Sequence, residues 1–304
     1  MLDRLYPPLH AADLGVDWPH MDCSRIVQTP GVRWHVQMAG SGPVLLLLHG
    51  AGASTHTWRD VLPALSADFT VVCPDLPGHA LSHIAPGFRP GLREMADALD
   101  DLLSALHLQP QVVVGHSAGG AVAAQWVLDH HSRTPADNPT LIGLNPAWLP
   151  IPGMASWMFP VAAKVLALNP LSALWIARHG KRPEVVKKLV DETGSRLDAH
   201  GVDYYARLIR QPAHVRGVLA MMAAWDMEAL GRRMGTLRGP VFMHLGGRDT
   251  TVPTSWSGRT YAVVAQARGI TVPELGHLAH EEAPAVVAEQ IRSWALASIN
   301  QTAR

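Results

Sequence analysis

Gln111–Trp126 reads QVVVGHSAGGAVAAQW. The β-branched run Val112-Val113-Val114 predicts a buried strand, Gly115-His116-Ser117-Ala118-Gly119-Gly120 a sharp turn, and Ala121, Val122, Ala123, Ala124 and Trp126 a helix. A serine at the apex of so tight a turn sits in a strained backbone conformation. Its neighbours two residues to either side must therefore lack a Cβ. The strain lifts Oγ above the sheet beside the N-terminal end of the helix, where the N–H of Ala118 faces an incoming oxyanion. Five letters recur by chance, so the rest of the chain has to supply the serine's partners.

Outward from this turn the chain alternates. Strands are predicted at Ser24–Gln28, Arg33–Met38, Val44–Leu48, Thr70–Cys73, Leu141–Leu144, Val241–Leu245 and Ile270–Pro273. Helices are predicted at Leu92–Leu106, Ser255–Ala267 and from Pro284, where Val287, Ile291 and Trp294 share one face. Strands and helices in this rhythm specify an α/β fold whose mostly parallel, eight-stranded sheet is flanked by helices. The rhythm breaks at Asn145. Residues 146–237 carry helical patterns and no convincing strand, which predicts a helical cap inserted into a core made of residues 1–145 and 238–304.

Composition narrows the function classes. The 304 residues hold 25 basic and 25 acidic side chains, so no basic surface for nucleic acid is expected. Cys23 and Cys73 are far apart and read as reduced thiols of a cytoplasmic protein. The N-terminal residues carry acids and prolines where a signal peptide needs an unbroken apolar core. Leu141–Ala163 has no charge over 23 positions, but Pro146, Pro150, Pro152 and Pro160 interrupt it, which argues against a transmembrane helix.

A serine hydroxyl needs a base to take its proton, and an imidazole base needs an anion to fix its tautomer. Both are expected at the carboxyl ends of late strands. After Val241–Leu245 comes GGRDTTVP, presenting Asp249; after Ile270–Pro273 comes ELGH, presenting His277. Asp249 could instead cap the helix that follows, and Asp226 is the one other acid considered. Among 17 histidines, His277 is singled out by its place after a strand and before the last helix. His280 and Glu281 lie within a turn of it, but H-x-x-H-E is not a zinc-ligand spacing. No metal or cofactor is expected. The run HGAGAS at His49–Ser54 follows a strand, yet no Lys-Ser/Thr follows it and its spacing fits no dinucleotide fingerprint. It reads instead as a loop offering the N–H of Ala51 to a substrate oxygen. The catalytic set is thus Ser117, Asp249 and His277, with Ala51 and Ala118 as the oxyanion hole.

The stretches LLLLHGAGAS, VVCPDLPGHALS, VVVGHSAGG, GGRDTTVP and GHLAHEEAP resemble the α/β-hydrolase superfamily from about Ser24 to Ser298. Ala80 stands where that pattern often has glycine. More narrowly, RWHVQMAGSGPVLLLLHGAGASTHTWRD, the cap stretch TGSRLDAHGVDYYARLIRQPAHVRGVLAMMAAWDMEAL and ELGHLAHEEAP are similar to the magnesium-chelatase-associated accessory hydrolases encoded with bacteriochlorophyll biosynthesis enzymes. That resemblance implies a place in tetrapyrrole synthesis near magnesium insertion, with chelatase subunits as partners. The candidate pocket residues are His49, His116, Trp148, Met154, Trp157 and Met222. Of these, His49 also reads as support for its own loop, and His116 as pointing away from the attack face. The apolar cap fits three readings: ordinary helix packing, a pocket for a small apolar acyl or tetrapyrrole substrate, or a peripheral membrane contact. The expected function is acyl hydrolysis by a serine. The competing expectations are a non-catalytic porphyrin or chelatase-binding protein and a carboxylesterase of broad specificity.

Overall fold

The computed structural model describes residues 6–133, 138–150, 164–169 and 171–302. Its strands are β1 Ser24–Thr29, β2 Val32–Ala39, β3 Val44–Leu48, β4 Thr70–Pro74, β5 His83–Ile84, β6 Val112–His116, β7 Thr140–Leu144, β8 Val241–Gly246 and β9 Ala267–Val272. They form one sheet in the order β1-β2-β4-β3-β6-β7-β8-β9, with β5 paired to β2. β2 is antiparallel to β1, β4 and β5, and all pairings from β4–β3 to β8–β9 are parallel.

Alternate residues of the central strands feed two cores, as the period of two requires. Leu45, Leu47, Val112, Val114, Ile142 and Leu144 face the helix Pro284–Thr302 through Val287, Ile291 and Ala295. Leu46, Leu48, Val113 and Leu141 pack with residues of the helices Leu92–Ala105 and Ala118–Arg133. Both faces are covered, so the strands are apolar at successive positions. Each leucine from Leu45 to Leu48 is fully buried and stabilises the fold by about 2 kcal/mol.

All eight predicted strands are present. The ninth, β5, is two residues long and leaves no periodic signal. β9 begins at Ala267 rather than Ile270, and the helix before it, Thr254–Val263, is correspondingly shorter than predicted. Ala267-Arg268-Gly269 lacks apolar alternation and lies on an edge. Pairing with β8, Val241↔Ala267 to Gly246↔Val272, makes it a strand.

Between β7 and β8 every described element is helical: a turn at 164–168, then Ser172–His179, Pro183–Asp191, Ala199–Ile209, Pro212–Ala224 and Met227–Arg233, closed by the 3-10 turn Met234–Thr236. Pro183 and Pro212 open their helices, where a missing N–H is harmless. Asp198 and Asp226 cap theirs, accepting from Gly201 N at 2.7 Å and Ala229 N at 2.9 Å. Asp226 is therefore a helix cap. The insertion touches the loops that leave the carboxyl ends of four strands. His214 reaches Gly52 after β3, Gly217 lies against Gly78 after β4, Thr193 bonds Thr250 after β8, and Tyr205 bonds Glu281 after β9. No helix among the described residues is long and apolar enough to cross a membrane.

Candidate active site

Ser117 stands at φ +50°, in the left-handed region, at the junction of β6 and the helix Ala118–Arg133. The two flanking glycines are steric requirements. A Cβ on Gly115 would collide with Gly119 O, and one on Gly119 with Leu48 O and His49 O. The turn is pinned from both sides: Ser117 N donates to Leu144 O at 3.1 Å, and Ser117 O accepts from Ala147 N at 3.0 Å. The first N–H groups of the helix have no intrahelical partner and carry the positive end of its dipole. Ala118 is the first of these.

Asp249 and His277 meet in the structure. His277 Nδ1 lies 2.7 Å from Asp249 Oδ2, both side chains being almost wholly buried. Because the carboxylate only accepts, Nδ1 carries the proton and Nε2 presents a lone pair. Asp249 Oδ2 also accepts from Asn145 Nδ2 at 2.6 Å, while Oδ1 accepts from Thr251 N at 2.7 Å and Val252 N at 2.9 Å. One oxygen of Asp249 thus holds its own turn and the other meets His277. Asn145, at φ +45° just past β7, was missed by the sequence reading. Its signal was its place: a polar residue at the carboxyl end of a buried strand, as at Ser117.

His116 packs its ring 4.7 Å from that of His277 and 4.5 Å from that of His280, and its Nε2 donates to His277 O at 2.9 Å. The Ser117 turn and the His277 loop are therefore tied one residue away from Ser117. Burial first, then the neighbouring His280 and His277, push the His116 pKa well below its ordinary value, so it stays neutral. Ser117 Oγ and His277 share no hydrogen bond; such bonds tighten when the reacting group is in place.

The loop after β3 approaches from the other side. A Cβ on Gly50 would lie 2.7 Å from His116 Nδ1 and 3.3 Å from Ser117 Cβ, so only glycine lets Ala51 come this close. Two imidazoles hold the loop's carbonyls. His49 Nδ1 donates to Gly50 O at 2.8 Å while its Nε2 accepts from Leu76 N at 2.9 Å. His214, from the insertion, places Nε2 3.2 Å from Gly52 O and accepts from Ala80 N at 3.0 Å. Burial lowers the His214 pKa to about 4. His214 was not anticipated, because its partners lie more than a hundred residues away in sequence.

The other pocket candidates divide. His49 and His116 are buried scaffolding, and Trp148 is a core residue rather than an open wall. Its indole N–H donates to Gly120 O at 2.8 Å, and its ring fills the space that Gly143 leaves free of a Cβ. Met222 is half-buried against the same core. Met154 and Trp157 lie outside the described residues. His280 and Glu281 are engaged elsewhere. His280 Nε2 donates to Thr57 Oγ1 at 2.7 Å, while Glu281 accepts from Thr57, Tyr205 and Arg59 at 2.6, 2.6 and 2.5 Å.

Residues 45–290 match the family described as "Alpha/beta hydrolase family". The chain is 39% identical over 285 residues to the magnesium-chelatase 30 kDa subunit of Rhodobacter capsulatus, covering 92% of this chain and 97% of that protein. It is 28% identical over 281 residues to a soluble epoxide hydrolase of a Corynebacterium species, covering 84% and 91% respectively. Among solved structures, a thermophilic esterase from Thermogutta terrifontis superposes with a TM-score of 0.70 at 21% identity, covering 92% of this chain and 98% of the esterase, a likeness of fold.

Proposed function

This chain belongs to the alpha/beta hydrolase family, and from that premise we propose that it is a serine hydrolase cleaving an ester or related acyl bond through an acyl-enzyme on Ser117. The observation that carries the reading is the 2.7 Å His277–Asp249 bond in a buried pair beside a serine held at φ +50°. In the first step Ser117 Oγ attacks the acyl carbon and its proton passes to His277 Nε2. Asp249 steadies the imidazolium, and the N–H groups of Ala51 and Ala118 receive the oxyanion. Collapse of this intermediate expels the alcohol, which takes the proton back from His277. A water, deprotonated by the same imidazole, then releases the acid and frees Ser117. An aspartate at this turn would suit opening of epoxides or alkyl halides; a serine suits acyl transfer.

The relative named as a magnesium-chelatase subunit supports a substrate within tetrapyrrole synthesis, an apolar acyl or tetrapyrrole ester, with chelatase subunits as partners. It equally favours a second reading, in which the fold serves as a non-catalytic chelatase partner or porphyrin binder, since function resides in sites rather than folds. Labelling with a fluorophosphonate probe separates the two. The expected outcome is stoichiometric labelling that disappears in Ser117→Ala. A folded protein that takes no label, and whose tryptophan emission is quenched saturably by porphyrin, supports the second reading instead.

A further inference from the structure

Three segments from distant parts of the chain meet behind the Asp249–His277 pair. Two are the loops that carry those residues, already joined by the bond from Arg248 N to Leu275 O at 2.8 Å. The third is Glu192–Arg196, the turn between the insertion helices Pro183–Asp191 and Ala199–Ile209. Thr193 O accepts from His277 N at 3.3 Å and from Thr250 N at 3.4 Å, so one carbonyl spans the base loop and the acid loop. The hydroxyl of Thr250 donates to Glu192 O. Ser195 Oγ accepts from Leu278 N at 2.8 Å and from Thr193 Oγ1 at 2.9 Å.

The packing leaves no slack. Gly194 stands at φ +79°, and a Cβ there would collide with Arg248 O. A Cβ on Gly276 would collide with Gly194 itself. Glu282 closes the joint from below: Oε1 accepts from Gly276 N at 2.6 Å, and Oε2 accepts from Arg248 Nη2 at 2.8 Å and Arg196 N at 3.1 Å. This carboxylate, only 5% exposed, is thus bonded to the base loop, the acid loop and the insertion at once.

We propose that the insertion segment Thr193–Ser195, with Glu282, is a positioning element of the catalytic apparatus: it sets the spacing of the Asp249 and His277 loops, so that the base is aligned only while the insertion is docked. This rests on the reading of Ser117, Asp249 and His277 as a catalytic set. Ser195 and Glu282 touch no reacting atom and act through the backbone on either side of His277. A misplacement of about 1 Å in such a base lowers rate by up to roughly a hundredfold. The insertion therefore contributes to turnover as well as covering the site.

The test uses the full chain, fluorophosphonate labelling rates and thermal unfolding. Ser195→Ala and Glu282→Ala are compared with Ser172→Ala, which removes a buried insertion hydroxyl far from both loops in sequence. The expected result is labelling slowed roughly tenfold per folded molecule in the first two, with Ser172→Ala within about twofold of wild type. Glu282→Gln, which keeps an acceptor oxygen on the same partners, should recover part of the rate lost in Glu282→Ala. A purely structural role lowers the unfolding temperature and leaves the rate per folded molecule unchanged; that outcome overturns the proposal. If Glu282→Ala fails to fold, Ser195→Ala, the loss of one oxygen, decides alone. Absence of wild-type labelling, or labelling that survives Ser117→Ala, overturns the reading of Ser117 itself and this proposal with it.

Discussion

Asp249 receives four donors, two from its own turn and one each from His277 and Asn145. Asn145 is the one whose removal leaves the turn and the base in place. Its amide also supplies Oδ1 to Gly246 N at 3.3 Å, tying the ends of β7 and β8. Asn145→Ala leaves a buried carboxylate oxygen one donor short and a buried N–H without an acceptor. The expected loss is about 1–3 kcal/mol of stability, read from urea midpoints. Labelling of Ser117 should also slow. Unchanged stability and labelling would mean that the loop holds Asp249 unaided. The placement of Ser117 and Asp249 after β6 and β8 was legible because the apolar pattern marks those strands. The burial of Trp148 in the core was not legible. An aromatic residue in an apolar stretch looks the same in sequence whether it lines a pocket or fills the gap over Gly143.

The strand-turn-helix at β6 is the element on which everything depends, and its glycines make it testable. Gly119 sits where the helix Ala118–Arg133 starts against the carbonyls of Leu48 and His49. Gly119→Ala should push the helix off β3, at a cost of about 1–3 kcal/mol from overpacking, and abolish labelling. The measurement is a thermal unfolding curve beside the labelling assay, and a variant as stable and reactive as wild type would contradict the steric account. Strands and helices of the core were legible because both faces of a parallel sheet are buried, so their residues announce themselves by hydrophobicity alone. The start of β9 was not, because Arg268 and Gly269 owe their strand geometry to pairing with β8. The helices of the insertion were legible as helices, but not which loops they would touch.

At the scale of the whole molecule, buried imidazoles set the acid limit. Burial lowers the pKa of His49, His56, His79, His116 and His280, and brings His214 and His244 to about 4. Below about pH 6.5 the unfolded chain takes up protons that the folded one refuses. Stability contributed by neutral burial is therefore complete above pH 6.5 and lost as pH falls towards 4. His214 and His244, at about 4, each account for about 2 kcal/mol of loss by pH 5. The urea midpoint should fall steeply between pH 7 and pH 5, and a midpoint constant over that range would refute the protonation account. What the chain determines by itself is the sheet, the strand-turn-helix at Ser117 and the candidate serine, acid and base, because apolar periodicity and glycine spacing are local and survive in one dimension. Only the tertiary structure brings Asn145 to Asp249 and Glu282 to the loop of His277, sets His214 against the loop of Ala51, and lays Thr193–Ser195 across the loops of Asp249 and His277. Those contacts are hydrogen bonds between single polar atoms from remote segments. They have no period and no fixed spacing, and packing alone brings them within 3.5 Å.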